Sequence, residues 1–355
     1  MRVLLLSRYA RTGASSRLRS YQYLPYLTKL GIDVTVAPLF DYEYLEKLYT
    51  GEFSFSNVVK AYLRRIRWLL RSRGFDLIWL EKEALPWCPS WLELPLSRSR
   101  VPLVVDYDDA LFHRYDCHRA GAVRLILGNK IDALMRRAKV VLVGNDYLAQ
   151  RAQQAGAQRI ELLPTVVDTS RYEVLPANTT EPVRIGWIGT PRTARYLEML
   201  RPILGQLLAG RDVHIVAVGA RPEQLKGLPI EARRWSEESE AAELQAIDIG
   251  IMPLPDEPFE RGKCGYKLVQ YMACGKPVVA SPVGVNAQIV QNGVNGFLAA
   301  NLSQWEQHLG ALCSDPDLRV RLGVAGRRLV ERRYSLGVTA PKLAGLLRFA
   351  RETHA

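Results

Sequence analysis

A chain of 355 residues is longer than one hydrophobic core ordinarily supports, so two domains are the expectation. With 48% hydrophobic and 24% charged residues the composition is that of an ordinary globular protein, at odds with a disordered tail, a low-complexity block or a solenoid array. The net charge of +12 calls for an anionic partner, and nucleic acid, an acidic membrane and phosphorylated small molecules all meet that requirement.

The chain opens on RVLLLS (2–7), an apolar run too short for a signal peptide and followed at once by Arg8, so it reads as a first β-strand. No run of about 18 apolar residues occurs, and no transmembrane helix is expected. The five cysteines are odd in number and form no CxxC pair, which argues for a reducing, cytoplasmic compartment without structural zinc. The turn RYARTGASSRLRS (8–20) follows. Gly13 lets the backbone approach a ligand, Ser15 or Ser16 is placed to cap the next helix, and the helix N-terminus offers N–H groups to a phosphate. One glycine is not a GxGxxG fingerprint, so an ordinary turn competes with this reading.

IDVTVAPL, FDLIWL, VPLVVDY and KVVLVGN continue the first half as short apolar strands with room for a helix between them, a βαβ series that implies a parallel sheet. Within it, NVVKAYLRRIRWLLRSRG (57–74) sets Lys60, Arg64, Arg67 and Arg71 on one helical stripe beside Val59, Tyr62, Leu63, Ile66, Leu69 and Leu70. The pattern suits a helix lying on an anionic membrane, or a domain helix with its apolar face in the core. Next, VVDYDDALFHRYD (104–116) places Asp106, Asp108 and Asp109 at the carboxyl end of a strand, with His113 nearby. Ligands bind at that end of doubly wound sheets. The acids could cap a helix, hold a metal, bind sugar hydroxyls or orient an acceptor.

A polar segment, TSRYEVLPANTTEPV (169–183), breaks the pattern and sets a domain boundary near 170–182. VRIGWIG, DVHIVAVG, IDIGIMPL and KPVVASPVG then supply a second set of strands. In GWIGTPRTARYLEML (186–200) a strand ends at Gly189, Thr190 and Pro191 open a helix, and Arg192 and Arg195 fall in its first turn. Cations there oppose the helix dipole, which makes sense if an anion occupies the site. In PLPDEPFERGKCGYKLVQYMACGKPVVASPVGVN (253–286), a loop of Gly262, Lys263, Cys264 and Gly265 runs into a short helix carrying Tyr266, Lys267 and Gln270. Glycine backbone with two lysines at a helix start forms an anion cradle. APKLAGLLRFARE (340–352) makes a final helix.

KLVQYMACGKPVVASPVG resembles the donor-binding segment of retaining glycosyltransferases of the GT-B fold, family 4, and LPTVVD (163–168) and QNGVNGFL (291–298) fit the same order. The resemblance implies two Rossmann-like β/α/β domains facing across a cleft, with boundaries at 1–172 and 173–339 and the helix at about 340–355 crossing back to the first. In that family a Glu-x7-Glu pair touches donor sugar and ribose. Here the second position is Gln270 and the first is Gly262, with Glu260 two residues earlier as its substitute. The family's Arg/Lys pair on the diphosphate matches Arg195 and Lys267, and a His of its N-terminal domain aligns with Asp108. Gly13, Gly189, Thr190, Arg192, Trp235, Gly262, Lys263, Cys264, Gly265, Tyr266 and Gln270 then bind the nucleotide sugar, while Arg17, Asp106, Asp109 and His113 serve the acceptor.

The implied reaction transfers a glycosyl group from a nucleoside diphosphate sugar to an acceptor hydroxyl with retention. No cofactor, no metal and no nucleic acid are expected, and the acceptor is a glycan or lipid-linked intermediate of cell-surface polysaccharide or glycolipid synthesis. A nucleotide-sugar epimerase, a phosphorylase of the same fold and a non-catalytic scaffold are the alternatives.

Overall fold

A computed structural model describes residues 1–50, 55–93, 101–176, 182–209 and 212–352. Residues 177–181 of the expected boundary segment and 353–355 of the expected last helix lie outside the described residues. The chain folds as two compact units. The first holds Met1–Thr165, Gly262–Cys264 and Thr339–Ala355, and the second holds Val166–Arg261 and Gly265–Val338.

The first unit is built on six parallel strands: β1 (Arg2–Leu6), β2 (Asp33–Val36), β3 (Leu77–Glu81), β4 (Leu103–Tyr107), β5 (Val140–Val143) and β6 (Ile160–Leu162). Their order is β2-β1-β3-β4-β5-β6. β3, β4 and β5 are buried at every position, which is why LIWL, LVV and VVLV read as unbroken apolar runs rather than alternations. Leu4, Ile78, Val105 and Val141 share one core with the helical residues Ile131, Leu134 and Leu148. Asn145 caps the Asp146–Gln154 helix by accepting from the Leu148 N–H at 3.0 Å.

The second unit repeats the plan with β7 (Val183–Ile188), β8 (Val213–Val218), β9 (Glu231–Arg233), β10 (Ile249–Met252), β11 (Val278–Ala280) and β12 (Gly296–Leu298). All are parallel, in the order β12-β11-β10-β7-β8-β9. Trp187, Ile215, Ile249 and Val279 pack with Leu204, Leu207 and Leu309 of the covering helices. Gly250 in the middle of β10 is a packing requirement, because a Cβ there would stand 2.3 Å from the Tyr271 ring. That ring lies on the strand, and its hydroxyl accepts from the Ile188 N–H at 2.9 Å and donates to the Ile251 carbonyl at 3.3 Å. The Tyr266–Ala273 helix is thereby fixed against the ends of β7 and β10.

The units divide after Thr165 rather than at residue 172. The cause is local: Val167 bridges to Ser335, and the Tyr172 hydroxyl donates to Glu240 at 3.0 Å, so the connecting segment is bonded into the second unit. In the first unit, Tyr23 and Thr339 hydroxyls bond at 3.0 Å and Lys342 donates to the Leu162 carbonyl at 2.7 Å. These contacts hold the last helix there.

Candidate functional site

In the second sheet the chain leaves β7 toward β8 on one side, and β10 pairs with its other side. The carboxyl ends of β7 and β10 therefore flank a topological switch point, where doubly wound sheets take ligands. Two glycines open it. Gly219 has φ +87°, and a Cβ on it would meet the Gly189 carbonyl at 2.1 Å and the Trp235 Cβ at 3.4 Å. Only the absence of a side chain lets the turns after β7 and β8 come together next to Trp235.

Beyond Gly189, residues 191–193 form a turn and Ala194–Leu200 a 3₁₀ helix, in place of the α-helix expected from residue 190. Pro202 explains the difference, since it has no N–H to bond the Glu198 carbonyl and so cannot continue an α-helix from residue 190, while it suits the first turn of the α-helix that starts at Arg201. Arg192 therefore precedes the helix, and Arg195 lies in its first turn. The Arg195 side chain is 68% exposed and stands 4.0 Å from Glu260 Oε1. Glu260 is buried and accepts a short hydrogen bond from the Tyr196 hydroxyl. Burial and then this carboxylate push the Tyr196 hydroxyl up to about 12, so it stays a donor.

Gly265, at φ +63°, begins the Tyr266–Ala273 helix, and a Cβ on it would meet Ile289 at 2.5 Å. In the first turn, Lys267 Nζ lies 4.5 Å from the centre of the Trp187 ring. Gln270 is buried and donates to the Tyr172 hydroxyl at 3.3 Å. That hydroxyl bonds Glu240 Oε1 at 3.0 Å, and Trp235 Nε1 donates to Glu240 Oε2 at 2.9 Å. One buried carboxylate thus joins Trp235 to Gln270 through Tyr172. Burial and Glu240 raise the Tyr172 hydroxyl well above the ordinary tyrosine range.

The remaining loop residues, Gly262, Lys263 and Cys264, belong to the first unit. Asn145 Nδ2 donates to the carbonyls of Gly262 and Lys263 at 2.9 and 3.0 Å. The Cys264 thiol donates to the Asp108 carbonyl at 3.0 Å. Burial pushes that thiol up to about 12, in keeping with the protonated form that donates this bond.

In the same unit Gly13 is the residue before the Ala14–Arg19 helix, without a side-chain cap; Ser15 and Ser16 lie inside the helix instead of capping it. Their hydroxyls turn to acids: Ser15 to Asp108 Oδ2 at 2.7 Å and Ser16 to Glu81 Oε2 at 2.6 Å. Arg17 is buried. Asp106 is buried against Arg19, which donates to its Oδ1 through Nε at 3.0 Å and Nη2 at 2.6 Å. Burial pushes the Asp106 carboxyl up to about 6 even so. Asp108 and Asp109 share Lys82, whose Nζ stands 2.9 Å from one and 3.2 Å from the other. The Asp108 carboxyl is held below the usual range, burial being outweighed by Lys82, Arg19 and Ser15.

His113 is directed elsewhere, to Asp116 at 2.8 Å and the Tyr147 hydroxyl at 2.7 Å. Among the described residues, the metal-capable side chains that converge are His113, Asp116 and Cys117, not the three aspartates. Asp116 in that group is already paired with Arg151 at 3.0 Å.

Residues 182–315 match the family model described as glycosyl transferases group 1. Over that stretch the chain is similar to glycosyl transferases group 1. It is 33% identical over 182 residues to a D-inositol 3-phosphate glycosyltransferase of Xylanimonas cellulosilytica, covering 50% of this chain and 37% of that protein. To the putative teichuronic acid biosynthesis glycosyltransferase TuaH of Bacillus subtilis it is 26% identical over 168 residues, 42% of this chain and 41% of that one. The chain thus spans about two fifths of these relatives' length. Among solved structures, sucrose-phosphate synthase from Thermosynechococcus elongatus superposes with TM-score 0.72 at 16% identity over 98% of both chains. Anabaena Alr3699/HepE in complex with UDP gives 0.73 at 18% identity over 98% of this chain and 100% of that chain. The fold is GT-B.

The second unit brings Gly189, Glu260 with Arg195, Lys267, Gln270 and Trp235 to the carboxyl-end side of one sheet. Sequence reading missed Tyr172, Tyr196, Glu240, Arg19 and Lys82. Only Lys82 carried a legible signal, as the middle of a Glu-Lys-Glu run ending an apolar strand. The basic helix, observed over Phe55–Arg71, departs from the drawn stripe. Arg64 bonds Asp41 at 3.0 Å and the Leu39 carbonyl at 2.8 Å, and Arg65 is buried. Tyr62, Trp68 and Leu69 pack inward, while Phe55, Val59, Leu63, Ile66 and Leu70 form an outward ridge 40–75% exposed.

Proposed function

We propose that this chain is a retaining, metal-independent glycosyltransferase that moves a sugar from a nucleoside diphosphate sugar to an acceptor hydroxyl. The observation that carries the reading is the grouping in the second unit, where Gly189 and Gly219 open a turn beside Trp235, Lys267 lies against Trp187, and Gln270 is tied to Trp235 through Tyr172 and Glu240. Gln270 and Trp235 bind ribose and base; Glu260, steadied by Tyr196, takes the donor sugar in place of the family's first glutamate.

In the proposed reaction the acceptor oxygen forms its bond to the anomeric carbon as the bond to the diphosphate oxygen breaks, on the same face. The acceptor's proton passes to the departing phosphate. Charge grows on the diphosphate, and Lys267 and Arg195 stabilise it as preorganised cations in place of a metal. Asp108 serves the acceptor, a glycan or lipid-linked intermediate of cell-surface polymer synthesis, as the teichuronic acid relative suggests.

The test is release of nucleoside diphosphate across a panel of nucleotide sugars, with and without chelator. UDP-glucose comes first, since the Anabaena neighbour is in complex with it. If no donor is turned over and no nucleoside diphosphate shifts the melting temperature, the reading is wrong. Turnover abolished by EDTA and restored by magnesium would overturn its metal-independent part.

A second feature bears on location. The exposed ridge on the Phe55–Arg71 helix lies among exposed Lys60, Arg67 and Arg71, the make-up of a helix resting on an anionic bilayer. No described helix is long and apolar enough to cross a membrane. Peripheral attachment at the inner face of the cytoplasmic membrane is the reading this favours.

A further inference from the structure

In the first sheet the chain passes from β1 to β2 on one side, and β3 pairs with the other side of β1. The switch point of this unit therefore lies at the ends of β1 and β3. Lys82 is the residue that follows β3. Its φ is +66°, and the Glu83 N–H donates to the Glu81 carbonyl at 2.9 Å, closing a three-residue γ-turn over it. γ-Turns of this hand are rare and strained. A left-handed backbone that costs glycine nothing costs a lysine free energy. Lys82 is anchored to the neighbouring strand as well, because its N–H donates to the Asp106 carbonyl at 2.9 Å.

What the turn supports is the side chain. Lys82 is 7% exposed there, with Nζ 2.9 Å from Asp108 Oδ1 and 3.2 Å from Asp109 Oδ2. Ser15 donates to the other Asp108 oxygen at 2.7 Å, so Asp108 is held on both sides. Asp109 differs, with Lys82 on Oδ2 and a side chain 33% exposed. Asp106, Asp108 and Asp109 against Arg19 and Lys82 leave a net negative charge, which repels phosphate and accepts hydrogen bonds from hydroxyls.

We propose that Lys82 is a positioning residue for the acceptor: it fixes the Asp108 and Asp109 carboxylates at the end of β3 so that Asp109 receives a hydroxyl of a neutral, polyhydroxylated acceptor. This rests on the glycosyl transfer proposed above and on the acceptor role given there to Asp108.

The test compares Lys82→Gly, Lys82→Arg and Asp109→Asn with the parent enzyme in steady-state transfer, using the donor found by the nucleotide-sugar screen and a panel of neutral and phosphorylated sugar acceptors. Lys82→Gly removes the ammonium while suiting the left-handed turn, so it separates the side chain's role from the strain. Expected are a rise of about 10- to 100-fold in acceptor KM, the worth of a hydrogen bond to a charged group, an unchanged Kd for nucleoside diphosphate, and partial rescue in Lys82→Arg. Asp109→Asn, at a partly exposed position, should fold in any case and raise acceptor KM in the same direction, with neutral acceptors preferred by the parent. Acceptor KM within twofold of the parent in folded Lys82→Gly or in Asp109→Asn would overturn the proposal, as would a parent preference for phosphorylated acceptors. If the parent itself turns over no nucleotide sugar, it is the glycosyltransferase reading that fails, and the variants are not needed to see it.

Discussion

The ranking of two cations gives the sharpest test of leaving-group stabilisation. Lys267 and Arg195 are assigned the same task, yet their surroundings differ. Arg195 is 68% exposed and 4.0 Å from a carboxylate that shares its charge, so solvent screens what it offers the diphosphate. Lys267 is half-buried, with Nζ 4.5 Å from the Trp187 ring, which excludes water on that side. Two unit charges 4 Å apart interact by about 1 kcal/mol in water and about 4 kcal/mol at the effective dielectric of a protein surface. Arg195 belongs near the first limit and Lys267 near the second. Arg195→Ala should therefore lower kcat about 5- to 10-fold, and Lys267→Ala about 10²- to 10³-fold, the scale of losing one preorganised donor. Nucleoside diphosphate affinity should fall less than kcat in both, because charge on the leaving group grows toward the transition state. The assay is steady-state release of nucleoside diphosphate, with Kd from calorimetry. Full kcat in Lys267→Ala, or a larger loss in Arg195→Ala, would refute the reasoning.

Four further outcomes follow from other parts of the molecule. Gln270→Ala and Tyr172→Phe each cut the link between Trp235 and the Tyr266–Ala273 helix; donor KM should rise several-fold with kcat near normal, and a selective fall in kcat would move these residues to the reaction itself. Gly219→Ala forces a side chain onto φ +87° and against the Gly189 carbonyl, so melting should drop by several degrees and nucleotide binding weaken; an unchanged melting temperature and Kd would count against the loop assignment. Asp106 has its carboxyl raised from 3.8 to about 6 by burial, so the folded state binds a proton more tightly than the unfolded one, and the stability this contributes is present below about pH 4 and lost as pH rises through about 6. Melting curves of the parent should fall relative to Asp106→Asn across that window; parallel curves would show that Asp106 does not titrate there. Leu63→Ser with Leu70→Ser should release the protein from anionic vesicles, and the parent should bind less at high salt; equal sedimentation of parent and variant would leave the ridge without a membrane role.

Much of the fold was legible in the chain because buried parallel strands demand near-continuous apolar runs. LIWL, LVV and VVLV cannot be half-exposed, and the helices between them can only cover the sheet. The glycine at 265, before a short helix with Lys267 and Gln270, announced a helix start for the same local reason: a left-handed residue there opens the Tyr266–Ala273 helix without a side-chain cap. Local pattern also misled. The stretch from Thr190 read as one helix until Pro202 set the start of the α-helix, and the serines at 15 and 16 read as caps although Asp108 and Glu81 claim their hydroxyls.

The sequence by itself determined the two βαβ series, the positions of the switch-point loops and the cationic character of the turns, since each depends on hydrophobic period, glycine and charge within a few residues. Tertiary structure alone decided the partners. Tyr172 and Glu240 lie far from Gln270 along the chain, and Lys82 lies 26 and 27 residues before the aspartates it holds, separations printed by no local pattern. Arg19 likewise reaches Asp106 from another strand's helix, turning a candidate acceptor residue into a buried ion pair. Sheet order sets such pairings: it is the lateral hydrogen bonding of β1 to β3 and β4, satisfied only when the whole sheet forms, that brings residues distant in sequence within 3 Å of each other.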